Sequence, residues 1–245
     1  MTKFMKSIAA LMVLVMAMLV VGCTKPEGPD NNGNGGDNGG GNNGGGIYNG
    51  YAYVNLGLPS GLLWATCNVG ADTPEGYGDY FAWGETRPKD GYDWDNYVYC
   101  DDVYSQLIKY CNNSNYGYNG FTDNLTTLLP DDDAATVTWG NGWRLPTKEE
   151  WEELHENTTH TWYTLNGVNG YLFTAANGNS LFLPAAGSQL GDNFIGEGNG
   201  GFYWSSSLYL DNPYSAWCFF SSSICYINGY GRISGKSVRA VHSER

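Results

Sequence analysis

The stretch from Trp139 to Trp151, Trp-Gly-Asn-Gly-Trp-Arg-Leu-Pro-Thr-Lys-Glu-Glu-Trp, constrains the fold more than any other. It contains a complete helix start. Pro146 stands just outside, and Thr147 is placed to accept a hydrogen bond from the Glu150 amide. Glu150, three residues on, can reach back to the Thr147 amide and close a capping box. Glu149 and Glu150 put negative charge at the positive end of the helix dipole. Trp151 and Leu154 then share one face and can dock on a core. Trp143-Arg144-Leu145 alternates apolar and charged, as a short strand would. Two tryptophans beside a capped helix mark an architectural anchor, because buried aromatics dominate cores.

The chain ahead of that anchor divides into a leader, a tether and a domain. In residues 1–22, Lys3 and Lys6 precede an apolar run from Ile8 to Val21. Val20-Val21-Gly22-Cys23 reads as a lipobox, so residues 1–22 are expected to be a cleaved lipoprotein signal with Cys23 carrying the lipid. Residues 24–46 are almost wholly Gly, Asn and Asp. With nothing apolar to bury, residues 23–46 are expected to form a disordered tether behind the lipid, roughly 25–30 Å in root-mean-square span. Thr24 is not the Asp that retains many lipoproteins at the inner membrane, so an outer-membrane, lipid-anchored protein facing the cell surface is expected. Residues 47–245 are long enough for one substantial core and contain no second linker.

Without the leader's two lysines, the chain carries 10 basic against 25 acidic residues. Nucleic acid and anionic membrane surfaces are therefore poor partners. Strands are expected at 51–56, 62–67, 202–207, 216–220 and 237–241. A hairpin is expected where 171–174 and 180–183 flank Asn177-Gly178. Residues 71–99 should form a long loop pinned by aromatic rings, with a short helix near Val103–Tyr110. Asp131-Asp132-Asp133 reads as another helix start, although a triple Asp is also calcium chemistry. The whole is an α+β pattern, mostly antiparallel strands with one or two main helices.

Several blocks carry a family resemblance. Leu56-Gly-Leu-Pro-Ser-Gly-Leu-Leu-Trp-Ala-Thr66, Tyr80-Phe-Ala-Trp-Gly-Glu85, Trp143–Trp151, Leu183-Pro-Ala-Ala-Gly187, Tyr203-Trp-Ser-Ser-Ser207 and Ser237-Val-Arg-Ala-Val241 resemble the Fibrobacter succinogenes major paralogous domain family. That resemblance implies a Bacteroidetes-type lipoprotein with a C-type-lectin-like domain, in the variant shared with formylglycine-generating enzymes. Lys25 and Glu27 resemble surface-export signals of the same bacteria. The enzymes of that fold need closely spaced copper-binding cysteines. The nearest pair here is Cys218 and Cys225, in a different setting. Calcium-dependent lectins use Glu-Pro-Asn or Gln-Pro-Asp with Trp-Asn-Asp, and Asp211-Asn212-Pro213 is an incomplete match.

Other chemistry is thin. His155, His160 and His242 lack ligand spacing to another His or Cys. No nucleophile elbow surrounds Ser205–Ser207. No catalytic residue, metal or cofactor is therefore assigned. Beyond Cys23 there are five cysteines, an odd number, with Cys100–Cys111 and Cys218–Cys225 as candidate local pairs.

Segment 208–235 carries the functional expectation. In C-type-lectin-like folds the corresponding region forms the ligand face. Here it is Ser, Tyr, Gly, Asn, Ile and Phe with Trp217 and Arg232, a paratope-like composition. From Phe219 to Gly235 every residue fits a codon ending in a pyrimidine. Adenine-directed mutagenesis of Asn codons by a diversity-generating retroelement would leave that trace. The expected ligand-binding residues are Trp204, Tyr209, Tyr214, Trp217, Tyr226, Tyr230 and Arg232, since aromatics and Arg supply most binding energy. The expected function is non-enzymatic binding of a glycan or protein, as in adhesion. A formylglycine-generating-type oxidase using Cys218 and Cys225, or an envelope component without a ligand, are the other readings.

Overall fold

The computed structural model describes Cys23 and residues 44–140, 142–221 and 225–243. The expected signal segment, most of the tether and residues 222–224 lie outside the described residues. The architecture is α+β with antiparallel sheets. Strands β1 (Gly45–Tyr48), β2 (Tyr51–Asn55), β3 (Leu62–Asn68) and β4 (Trp143–Arg144) join β13 (Arg239–Ser243) in one sheet, ordered β1-β2-β3-β13-β4. The sheet curls until its two edge strands meet: Trp143 Nε1 donates to the Tyr48 carbonyl at 3.2 Å. Gly142 sits at this seam with φ of 104°, where a Cβ would lie 2.5 Å from the Tyr48 hydroxyl. The domain starts slightly earlier than residue 47, because Gly45 and Gly46 pair with Val54 and Tyr53. Glycine composition hides this strand.

Helix α2 (Lys148–Glu156) begins with the expected box. Glu150 N donates to Thr147 Oγ1 at 3.3 Å, and Thr147 N donates to Glu150 Oε2 at 2.8 Å. Arg144 grips the same carboxylate bidentately at 2.6 and 2.7 Å. Trp151 and Leu154 are buried as the spacing requires. The Trp151 ring stacks on Phe219 at 4.8 Å and lies 4.9 Å from Trp64 and 5.7 Å from Tyr203. It therefore joins the curled sheet to a second one, ordered β10 (Gly201–Leu208), β11 (Ser215–Ser221), β12 (Cys225–Gly231). A third sheet holds β5 (Thr158–Leu165), β6 (Val168–Ala175) and β7 (Ser180–Pro184), and β8 (Ser188–Leu190) pairs with β9 (Asn193–Ile195). β6 and β7 are the expected Asn177-Gly178 hairpin. β5 carries no burial alternation and went unread for that reason.

The expected helix near Val103–Tyr110 does not form. Its amides serve tertiary bridges instead: Leu107 N donates to Tyr116 O at 2.7 Å and Ile108 N to Tyr99 O at 3.0 Å. The Asp triplet does start α1 (Ala134–Trp139), with Asp133 accepting from Thr136 N at 2.9 Å and Leu145 N at 2.8 Å. Asp132 accepts from the Tyr99 hydroxyl at 2.6 Å, Lys109 Nζ at 2.5 Å and the Tyr110 hydroxyl. These two carboxylates are occupied by protein donors, and among the described residues no His, Cys, Asp or Glu cluster could hold a metal.

Cysteine pairing differs from expectation. Cys23 is bonded to Cys67, while Cys100, Cys111, Cys218 and Cys225 take part in no disulfide among the described residues. Cys218 pairs in register with Asn228 and Cys225 with Ser221. The two lie three positions apart along the ladder, about 10 Å, and on opposite faces. They can form neither a disulfide nor one copper site.

Arg232, expected at the surface, is 0% exposed. Its Nε donates to the Tyr97 hydroxyl at 2.9 Å. Nη1 donates to the carbonyls of Tyr110 (3.0 Å) and Pro213 (2.8 Å), and Nη2 to Lys109 O at 3.0 Å. It staples the long aromatic loop to the second sheet. Arg232→Met should strip these acceptors of their donors and lower unfolding free energy by about 3 kcal/mol or more. Denaturant unfolding checks this, and a loss under about 1 kcal/mol would contradict the staple role.

Candidate functional site

The register of β10, β11 and β12 builds one aromatic face. Phe202 pairs with Phe220, which pairs with Tyr226; Ala216 pairs with Leu208 and Tyr230. Alternation puts Phe202, Trp204, Cys218, Phe220, Tyr226 and Tyr230 on one side, opposite Phe219. Phe202 and Phe220 are 4.4 Å apart, Phe220 and Tyr226 5.1 Å, and Phe202 and Tyr230 5.5 Å. The Tyr226 and Tyr230 hydroxyls meet at 3.0 Å. Tyr226 is 39% exposed, and Phe202, Phe220 and Tyr230 are half-buried.

Lys236 lies beneath these rings. Its backbone is fixed by paired hydrogen bonds with Phe81, each 3.0 Å. Its Nζ is 4.8 Å from the Trp204 ring centroid, 4.9 Å from Tyr230 and 5.1 Å from Phe202. The residue is 2% exposed. Burial pushes its pKa down to about 8. The neighbouring Cys218 thiol is pushed up to about 12, also by burial, so it stays protonated and offers no counter-charge. Ion pairs among the described residues use Lys89, Lys109, Arg144 and Lys148, not Lys236. Among those residues the Lys236 ammonium also makes no hydrogen bond. Cation–π attraction from three rings is its only compensation.

The residues expected to bind divide among separate places. Tyr226 and Tyr230 are on this face. Trp204 is on the same side but 1% exposed, its indole N–H donating to Phe81 O at 2.8 Å, so it is floor and not contact surface. Trp217 and Tyr209 meet edge-on at 4.7 Å on the opposite side, with Lys148 Nζ 5.0 Å over Trp217. Tyr214 joins Tyr104 and Tyr116 in another ring group, at 5.6 and 5.5 Å. Arg232 is internal. Phe202, Phe220 and Lys236 were missed. Pairing the 202–207 and 216–220 strands by parity would have found the two phenylalanines, and Lys236 is the one lysine after Lys148. Within 219–235, Phe219, Arg232 and Ile233 are core residues. Among the described residues there, Tyr226 and Asn228 are exposed and Tyr230 is partly so.

A larger recess, about 1030 Å³, lies elsewhere, at the seam of the curled sheet. Its charged groups and its histidine are already engaged. Arg144 holds Glu150, Asp133 caps α1, and His242 Nδ1 is 3.0 Å from Gly142 O with its ring stacked 3.6 Å from Tyr48. Size alone favours that recess as a ligand site. The uncommitted ammonium favours the aromatic face, and that argument has more weight because an engaged group has little left for a ligand. No family model, no curated protein and no solved structure matches this chain.

Lys236 has a measurable cost. An unfolded lysine keeps its proton up to about pH 10.5 but the folded one only to about 8. Between those values the unfolded state binds more protons, so wild-type stability rises with pH there. Lys236→Met should therefore be more stable than wild type at pH 7, by up to about 3 kcal/mol. The advantage should shrink as pH climbs from 8 towards 10.5. Denaturant midpoints of both proteins across that range check it. A pH-independent difference, or a variant less stable at pH 7, would contradict the uncompensated ammonium.

Proposed function

We propose that the protein is a non-enzymatic, lipid-tethered binding protein of the outer-membrane surface that engages a glycan or protein through the β10–β12 face. The observation that carries this reading is the row of accessible rings over an ammonium that costs stability and, among the described residues, has ring faces but no hydrogen-bond acceptor or counter-ion. Polar groups without partners are uncommon inside folded proteins, and one lying just under accessible rings invites a ligand acceptor. Clustered Tyr and Phe provide large contact area at low entropic cost.

The tether rests on the lipobox residues Val20–Cys23 and the Gly/Asn run behind them. No helix among the described residues is long and apolar enough to cross a membrane. A lipid thioether and the Cys23–Cys67 disulfide use the same sulfur and exclude each other. In the lipidated chain Cys67 is a free thiol. Intact mass of the protein extracted from membranes should show a diacylglyceryl group on an N-terminal Cys23. A mass matching an unmodified disulfide form would remove the tether.

The binding face is tested with the full chain in detergent on a glycan array and on host-cell surfaces, beside a Tyr226→Ala/Tyr230→Ala variant. Both hydroxyls bond only each other among the described residues, so the variant should fold. Binding should fall at least tenfold. Unchanged binding by the folded variant would move the site elsewhere.

A further inference from the structure

Resting on that reading, we infer that the β10–β12 face selects an acidic sugar, a pyranose ring bearing a carboxylate. The ring lies on Tyr226, and the carboxylate is received by Lys236. Three observations converge. Phe202, Phe220 and Tyr226 align across three adjacent strands in a row about 10 Å long, with planes tilted 47° and 55° from one ring to the next. Tyr226, 39% exposed, leaves one ring open at the end of the row, and a pyranose C–H face packs on a single ring as apolar surface. The ammonium lies one ring layer below, 4.9 Å from the Tyr230 centroid. Tyr230 is held at its hydroxyl only by Tyr226 among the described residues, and in this inference its ring turns aside to admit the carboxylate.

The sign of the ligand follows from the ammonium. A buried cation without a counter-ion gains more from an anionic oxygen than from a neutral one, because Coulomb attraction adds to the hydrogen bond where water is excluded. The groups facing Lys236 are the Cys218 thiol from β11 and the Tyr230 ring from β12, with Phe202 and Trp204 from β10. No carboxylate competes from these strands. The protein's overall negative charge opposes anions at long range. That opposition is screened beyond about 8 Å at physiological salt, whereas the local ammonium is not.

The test uses oligogalacturonate and its methyl ester, alike in shape and unlike in charge, titrated against the full chain by calorimetry. Wild type should bind the acid at least tenfold more tightly than the ester. Lys236→Met should bind both about as weakly as wild type binds the ester. Raising pH from 7 to 9 should weaken acid binding by wild type about tenfold, following deprotonation near pH 8, and leave ester binding alone. Equal binding of acid and ester overturns the inference. So does the absence of acid binding, or tighter binding of a polyglutamate peptide. In each of those cases array ligands lost in the Tyr226→Ala/Tyr230→Ala variant would still uphold the face as a site. Array binding indifferent to both tyrosines would remove the site and the inference together.

Discussion

The stack of Trp151 on Phe219 is the contact on which the remaining structure depends. It joins the helix that leaves the curled sheet to the middle strand of the second sheet, with planes only 1° apart. The capping box fixes where α2 starts, and therefore which face Trp151 presents. Because Phe219 points at the helix, its neighbours Cys218 and Phe220 must point the other way. The aromatic face is thus a consequence of the core contact behind it. Truncating a buried Trp to Ala typically costs about 3–5 kcal/mol, and here it would also release the register of β11.

The segment 232–239 buries three cations in an acidic chain, and each is treated differently. Arg232 spends its donors on three carbonyls and a tyrosine hydroxyl. Arg239 donates from Nε to Asn68 and from Nη1 to Ala65 O, both at 3.0 Å, deep in the core. Its Nη2 has no partner among the described residues, but it is enclosed on all sides. Of the three, Lys236 is the one whose charged group makes neither a hydrogen bond nor an ion pair among the described residues, and it lies directly beneath the partly exposed rings. The two arginines explain why the loops and sheets hold together; the lysine does not contribute to that purpose.

Local chemistry made much of the fold legible. Thr147 and Glu150 announced α2, Asn177-Gly178 announced the β6–β7 hairpin, alternation announced β2, and the Gly57–Gly61 turn announced β3 as its return. Elements governed by distant partners were not legible. The Val103–Tyr110 segment has helical composition, yet its amides find carbonyls across the aromatic loop. β5 is polar on both faces, so it left no periodic signal. Arg232 read as a surface residue because nothing local shows four acceptors converging on it. The candidate site was half legible for the same reason: composition marked Tyr226 and Tyr230, while strand parity and a single lysine decide which rings share the face.

The account depends most on the state of the Lys236 side chain. Its Cε resonance can be followed by nuclear magnetic resonance across a pH titration of selectively labelled protein. A midpoint near 8, moving upward when an anionic ligand is added, is what an unpartnered ammonium beneath the rings requires. A midpoint near 10.5, unmoved by ligand, would mean the charge is already satisfied or in solvent, and the aromatic face would lose its claim as the binding site.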